Sequence, residues 1–227
     1  MADLPDSGTA SDPTGDAAVG TSPVSCKYPD SALRLCFEFE DRKFTPTAFD
    51  ASPYKLNAVS DELTEVMRNN QPAAATYWNS NMRVPENPML DITGSITFEA
   101  WMYVPVYHLA TILQNDNQYS LTMDFYGRVS CRIGNTIVTS DPIGENTWRH
   151  IACTLANEKL SIHVDGAATK CQSTDVSIPT SGTTGTRIVP GFVGGIDDVH
   201  IYARKLSATE ICSHADKTGC SSACSDE

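Results

Sequence analysis

The chain has 227 residues, 41% of them hydrophobic and 19% charged, with 28 acidic against 16 basic side chains and a formal net charge of −12. A surface this negative repels phosphate backbones and anionic headgroups, which argues against nucleic acid and leaves cations, neutral glycans and basic proteins as partners. No apolar run reaches the roughly eighteen residues of a membrane-spanning helix, and the composition is that of a soluble globular protein with one substantial core.

Residues 1–25 are Asp, Ser, Gly, Thr, Pro and Ala with hardly a large apolar side chain. Such a stretch buries too little surface to offset its ordering entropy, so it reads as a disordered acidic linker. Met1 leads straight into Ala-Asp-Leu-Pro-Asp-Ser, with no basic n-region and no apolar h-region. The eight cysteines are even in number and include no C-x-x-C pair. They point to disulfides and an oxidising compartment, hence to a secreted or cell-surface protein whose leader has been removed.

The folded part is expected over residues 26–212. From Ala32 to Glu40 the residues alternate, with Leu33, Leu35, Phe37 and Phe39 on one side and Arg34, Cys36, Glu38 and Glu40 on the other. Period two means a half-buried strand. Ile96 to Val104, Tyr119 to Asp124, Arg128 to Ile133, Thr136 to Thr139, and Trp148 to Leu155 read the same way. Leu160 to Val164 meets Asp165-Gly166, a two-residue hairpin signal, and returns over Ala167 to Gln172. Ile196 to Tyr202 is the last strand. Breakers between short strands predict an all-β sandwich. Two helices are expected, Asp61 to Asn69 and Ser207 to His214; the second opens on Ser207-Ala-Thr-Glu210, the spacing of a capping box. Residues 213–227 form a polar, cysteine-rich tail with no core of its own.

Eight cysteines allow 105 pairings. Cys131 and Cys153 sit on apparent core faces and suit one another, and Cys36 suits Cys212 if the first and last strands are neighbours. Cys26 then pairs with Cys220 or Cys224, and Cys171 has no evident partner. The rival is a zinc site from Cys212, His214, Cys220 and Cys224, whose spacing fits no standard finger. For ligand recognition the aromatic pool is Tyr77, Trp78, Tyr103, Tyr107, Tyr119, Phe125 and Tyr126. The polar stretch Gln114, Asn115, Asp116 and Asn117 is the candidate recognition loop, or else an Asn-rich hairpin turn.

Several segments, in order, resemble the bacterial laminin-G-like, concanavalin A-like jelly-roll domains. The pieces are Cys36-Phe-Glu-Phe-Glu40, then Ile96-Thr-Phe-Glu-Ala-Trp101, Trp148-Arg-His-Ile-Ala152 and Leu160-Ser-Ile-His-Val-Asp-Gly166. Gly194-Gly-Ile-Asp-Asp-Val-His-Ile-Tyr202 and Leu206-Ser-Ala-Thr-Glu-Ile211 complete the set. The resemblance covers about residues 32–212 and implies a two-sheet antiparallel jelly-roll sandwich. Trp101 and Trp148 are then expected as core anchors between the sheets.

The resemblance also implies a structural calcium near the chain ends, held by acids of the first and closing strands and by the early loop. The matching positions are Glu40, Asp50 and Asp197. The loop departs from the family's Ser-Gly-Asn-Gly type, reading Asp50-Ala-Ser-Pro53-Tyr-Lys55. Glycoside hydrolases share this superfamily, but they need paired acids flanking the scissile bond, and no strand carries that alternation. The sequence therefore points to a non-catalytic module binding a glycan or an extracellular protein.

Overall fold

The computed structural model describes residue 26 and residues 30–178 and 183–226. The expected linker over residues 1–25 lies outside them. In chain order the strands are β1 (Leu33–Phe37), β2 (Thr47–Ala48), β3 (Ala58–Asp61), β4 (Thr64–Arg68), β5 (Gln71–Thr76) and β6 (Asn81–Val84). Then come β7 (Ile96–Tyr103), β8 (Ala110–Asn115), β9 (Tyr119–Met123), β10 (Arg128–Ile133), β11 (Thr136–Pro142) and β12 (Trp148–Ala156). The chain closes with β13 (Lys159–Val164), β14 (Ala167–Ser173), β15 (Thr186–Ile188), β16 (Gly194–Tyr202), helix α1 (Ala208–His214) and β17 (Ser225–Asp226).

Among the described residues these strands form two sheets. One runs β17-β14-β13-β12-β7-β16-β5-β4, with β1 also on β16; the other runs β11-β10-β9-β8-β15-β6-β3-β2. Pairing is antiparallel throughout except β14 with β17. The core lies between the sheets. Ile96, Phe98, Ala100 and Met102 of β7 and Ile151, Cys153 and Leu155 of β12 face Ile112, Leu121, Val129 and Cys131 from the other sheet. The Cys131–Cys153 disulfide ties the two layers together across this core.

The opposite face of the first sheet is also covered. A second cluster of Cys26, Leu33, Cys36, Ala152, Tyr202, Leu206 and Ile211 packs there under α1. Trp101 belongs to this outer side, because it shares the parity of Thr97 and Glu99 rather than of Phe98 and Ala100. Its indole N–H donates to the carbonyl of His214 at 3.1 Å. Trp148, on the same face, lies beside Tyr103 with ring centroids 5.8 Å apart. Neither tryptophan stands between the sheets as the sequence suggested. Leu33 also leaves the expected side, since a bulge between Leu33 and Leu35 shifts the pairing with β16.

Three further expectations are corrected. Asp61 to Asn69 is not a helix: β4 pairs with β5 across a turn at Asn69 and Asn70, both with positive φ (50° and 64°), and such asparagines close a tight hairpin. Cys36 bonds Cys26 and not Cys212; Cys212 bonds Cys220, and Cys171 bonds Cys224. The first and last strands are indeed neighbours, but Cys36 lies over β16, opposite His200, while Cys212 sits on α1 near the Asp165-Gly166 turn. With all eight cysteines in disulfides, the zinc site built on the tail thiols is excluded. The α1 capping box is formed: Ser207 Oγ accepts from Glu210 N at 3.2 Å, and Glu210 accepts from Ser207 N at 2.7 Å.

Candidate functional site

The acids expected to hold calcium are placed differently from one another. Asp50 is buried at the entry to the early loop. Its Oδ1 accepts from the backbone N–H of Cys36 and of Ser52, both at 2.8 Å. Its Oδ2 accepts from Ser52 Oγ and from Leu56 N, both at 2.6 Å. Lys55 Nζ donates to the carbonyl of Ala51 at 3.1 Å. Asp197 accepts from Arg68 Nε at 2.7 Å and from Asp198 N at 3.0 Å. Glu40 lines a shallow surface cavity with Asp50 and Asn57. Calcium needs six or more oxygen ligands around one point. Here two of the three carboxylates face fixed N–H and O–H donors, and an ammonium occupies a loop carbonyl, so this set does not fit the ion.

The polar stretch at the β8–β9 turn is engaged in local bonds, with Asn115 buried, Gln114 and Asp116 half-buried and Asn117 exposed. Asn115 is buried, its Nδ2 donating to the carbonyl of Leu90 at 2.9 Å and its Oδ1 accepting from Thr186 Oγ1 at 3.2 Å. Gln114 Nε2 donates to the carbonyl of Asp116 at 3.0 Å, and the Asn117 carbonyl accepts from Arg132 at 3.1 Å. Asp116 accepts from Thr183 N at 2.6 Å and from the Thr184 hydroxyl, tying this turn to the segment before β15. These groups satisfy the local backbone, which is the hairpin-turn alternative.

The opposite end of the sandwich presents an aromatic rim. The ends of β5, β7 and β9 and the starts of β8, β10, β12 and β16 meet there, because Thr76 pairs with Gly194, Tyr103 with Trp148 and Gly195, and Ala110 with Met123. Their loops carry Trp78, Phe125 and Tyr126, exposed by 66%, 68% and 71%, and the aliphatic Val106 and Leu109. The loops touch one another. Trp78 meets the His108 ring edge-on at 5.0 Å, and His108 stacks on Phe192 at 5.8 Å. Tyr107 lies against Gly127, where positive φ (73°) and the close ring both require glycine. Polar groups flank the apolar ones: Tyr103 donates from its hydroxyl to Asn146 at 3.3 Å, and Glu145 accepts from Tyr107 N at 2.9 Å. The tyrosines and Trp78 stood in the sequence pool, but Val106, Leu109 and the shared end did not.

Beneath α1, on the outer face, lies a titratable cluster that sequence reading missed. Glu99 Oε1 contacts Nδ1 of His214 at 2.5 Å and Nδ1 of His200 at 3.0 Å, and Oε2 lies 3.5 Å from His150 Nε2. Burial opposes ionisation of Glu99, yet the imidazoles of His214, His150 and His200 hold its carboxyl well below the usual range. Next to it, Arg68 is stacked over Trp101 at 4.5 Å and bridges Asp197, Asp198 and Asp216. Burial pushes the Asp197 and Asp198 carboxyls upward, against the pull of that guanidinium. His163, enclosed on the same face, is lowered by burial to about 4.

Two facing antiparallel sheets with a short closing helix and a rim of loops at one end make this a concanavalin A-like jelly roll. The chain belongs to the concanavalin A-like lectin/glucanases superfamily, whose laminin-G-type family model matches residues 75–212. No curated protein sequence matches the chain. Among solved structures it is similar to the binding domain of Paraclostridial Mosquitocidal Protein 1, at 16% identity and a TM-score of 0.69, over 82% of this chain and 52% of that one. Domain 4 of AbnA, an extracellular arabinanase from Geobacillus stearothermophilus solved with arabinotriose, aligns at 15% identity and a TM-score of 0.64, over 81% of this chain and 98% of that domain. The receptor-binding domain of a botulinum neurotoxin C/D mosaic serotype aligns at 11% and 0.64, over 82% and 51%. The chain thus spans about half the length of the two toxin domains. At such identities the likeness is one of fold.

Proposed function

We propose that this domain is a non-catalytic extracellular binding module that holds a carbohydrate on its aromatic rim. The observation that carries this reading is the exposure of Trp78, Phe125 and Tyr126 at one end of the sandwich, beside Asn146 and the Tyr103 hydroxyl. Flat aromatic faces bury the apolar C–H surface of sugar rings, and nearby amides and hydroxyls pair with sugar hydroxyls. The fold is shared with an arabinanase domain solved with arabinotriose and with toxin binding domains, which is consistent with a recognition role. Four disulfides suit an oxidising, extracellular setting, and among the described residues no helix is long and apolar enough to cross a membrane. The reading is non-catalytic because the rim acids Glu145 and Asp124 are held by a loop N–H and by Arg128, and Glu99 faces imidazoles beneath α1.

A protein partner is the second reading. It is favoured by Val106 and Leu109, aliphatic side chains exposed on the same rim that a sugar does not need.

The test is a glycan-array screen of the oxidised protein that includes arabino-oligosaccharides, followed by calorimetry on any hit. Saturable binding should fall at least about tenfold, or about 1.4 kcal/mol, in Trp78→Ala and again in Tyr126→Ala. Binding that neither substitution changes would move the site off the rim. No glycan binding at all would replace the carbohydrate reading with the protein one.

A further inference from the structure

The carboxylate of Glu99 is fully enclosed, with the side chains of Glu99, His150, His200 and His214 exposed by 0%, 1%, 1% and 12%. Among the described residues its Oε2 has no hydrogen-bond partner, and neither has Nδ1 of His150. Donor atoms of Glu99, His200 and His214 lie within 4.8 Å of one another. They come from three separate elements: β7 supplies Glu99, β16 supplies His200 and the last turn of α1 supplies His214, while His150 on β12 faces the second oxygen. The Asp198 bulge sets the register that brings His200 opposite Glu99.

We propose that Glu99, His200 and His214 form a binding site for one zinc ion that pins α1 to the sheet, with its fourth position open to water. Two imidazoles and one carboxylate are a zinc donor set, whereas calcium and magnesium prefer oxygen alone. Ligand atoms on a tetrahedral zinc, each about 2.0–2.1 Å from the metal, stand roughly 3.3 Å from one another. Glu99 Oε1 stands 2.5 and 3.0 Å from the two imidazole nitrogens, and the three donor atoms lie within 4.8 Å of one another, a spacing that brackets the one zinc requires. The ring orientation of His200 is already supported. His200 Nε2 points at the Cys26 sulfur at 3.9 Å, leaving Nδ1 to face inward, and Trp101 fixes the backbone of the α1 turn that carries His214. The neighbouring Cys26, Cys36 and His200 grouping is no rival, since both sulfurs are in one disulfide.

The test uses the full oxidised chain, stripped with a chelator and desalted, then titrated with zinc chloride against a chromogenic competitor. One equivalent should bind. Cobalt should give the intense visible bands of a four-coordinate nitrogen and oxygen site. His214→Gln, at the least buried position, should weaken binding by more than the 10–100-fold that loss of a supporting partner causes. A His214→Gln variant that fails to fold leaves the cobalt spectrum of the wild-type chain as the deciding readout. Weak, multiple zinc binding with only six-coordinate cobalt bands, or tight binding unchanged in folded His214→Gln, would overturn the site.

Discussion

Asp50 shows how one side chain can organise a loop without a metal. Its two oxygens gather the N–H groups of Cys36, Ser52 and Leu56 and the Ser52 hydroxyl. Hydrogen bonds to a charged acceptor are worth more than neutral ones, and buried donors left unpaired are costly. Asp50→Ala is therefore expected to cost about 3 kcal/mol in urea unfolding. Calcium added to metal-free protein is expected to leave the melting temperature where it was; a clear rise would reinstate an oxygen cage around Glu40, Asp50 and Asp197. The position of Asp50 was legible from its motif, but its role was not. The same acid serves a cation or a set of N–H groups, and only the placement of Lys55 and Arg68 decides between them.

At the scale of the element, α1 is held at its start by charge as well as by its cap. Arg204 is paired with both Asp30 and Glu210 at 2.7 Å. The hydrogen bond from Arg204 outweighs burial and lowers Glu210 from its usual 4.5 to about 2. A carboxyl depressed on folding adds stability that is complete above its unfolded value and is lost as pH falls through the folded one. The difference between wild type and Glu210→Gln should therefore be greatest above pH 4.5 and vanish toward pH 2, read by equilibrium unfolding across that range. Glutamine keeps the capping box, so the comparison isolates charge. Ser207→Ala should cost about 1 kcal/mol at any pH. This helix was readable because its cap is a local pattern. β4 was not legible because Thr64 to Arg68 is too short to show a period, and only the Asn69-Asn70 turn separates it from β5. Trp101 was misplaced for another reason: both faces of β7 are buried, so alternation separates two sets of side chains without saying which set faces the other sheet.

For the whole molecule, the Cys131–Cys153 bond is the one disulfide that joins the sheets through the main core. It closes a loop with a sequence separation of 22 residues, for which chain entropy predicts about 3 kcal/mol. The double variant Cys131→Ala/Cys153→Ala should lose about that much, plus a small cavity term, in guanidinium unfolding. Loss of less than about 1 kcal/mol would mean that packing alone fixes the two layers. The pair was legible from core-facing alternation on β10 and β12, while their place in two opposed sheets was not. The aromatic residues of the rim were legible as a pool, but neither their common end nor the Glu99 cluster was. Trp78, Val106 and Phe125, like Glu99, His150, His200 and His214, are scattered along the chain and meet only through strand order.

That strand order also fixes how the module is held. Ala203 N donates to the carbonyl of Ala32 at 2.7 Å, so the start of β1 and the end of β16 lie side by side. Leu33 and Thr97 both pair with Tyr202, which puts this seam at the end of β7 remote from Tyr103 and the aromatic rim. After α1, β17 brings the chain back to Cys171, which stands level with Thr97 through Ser161 and Thr154, but across the sheet from β1. Both flanks of the described fold thus sit away from the rim, on different sides of the first sheet, and a support grasping either one leaves the recognition loops facing outward.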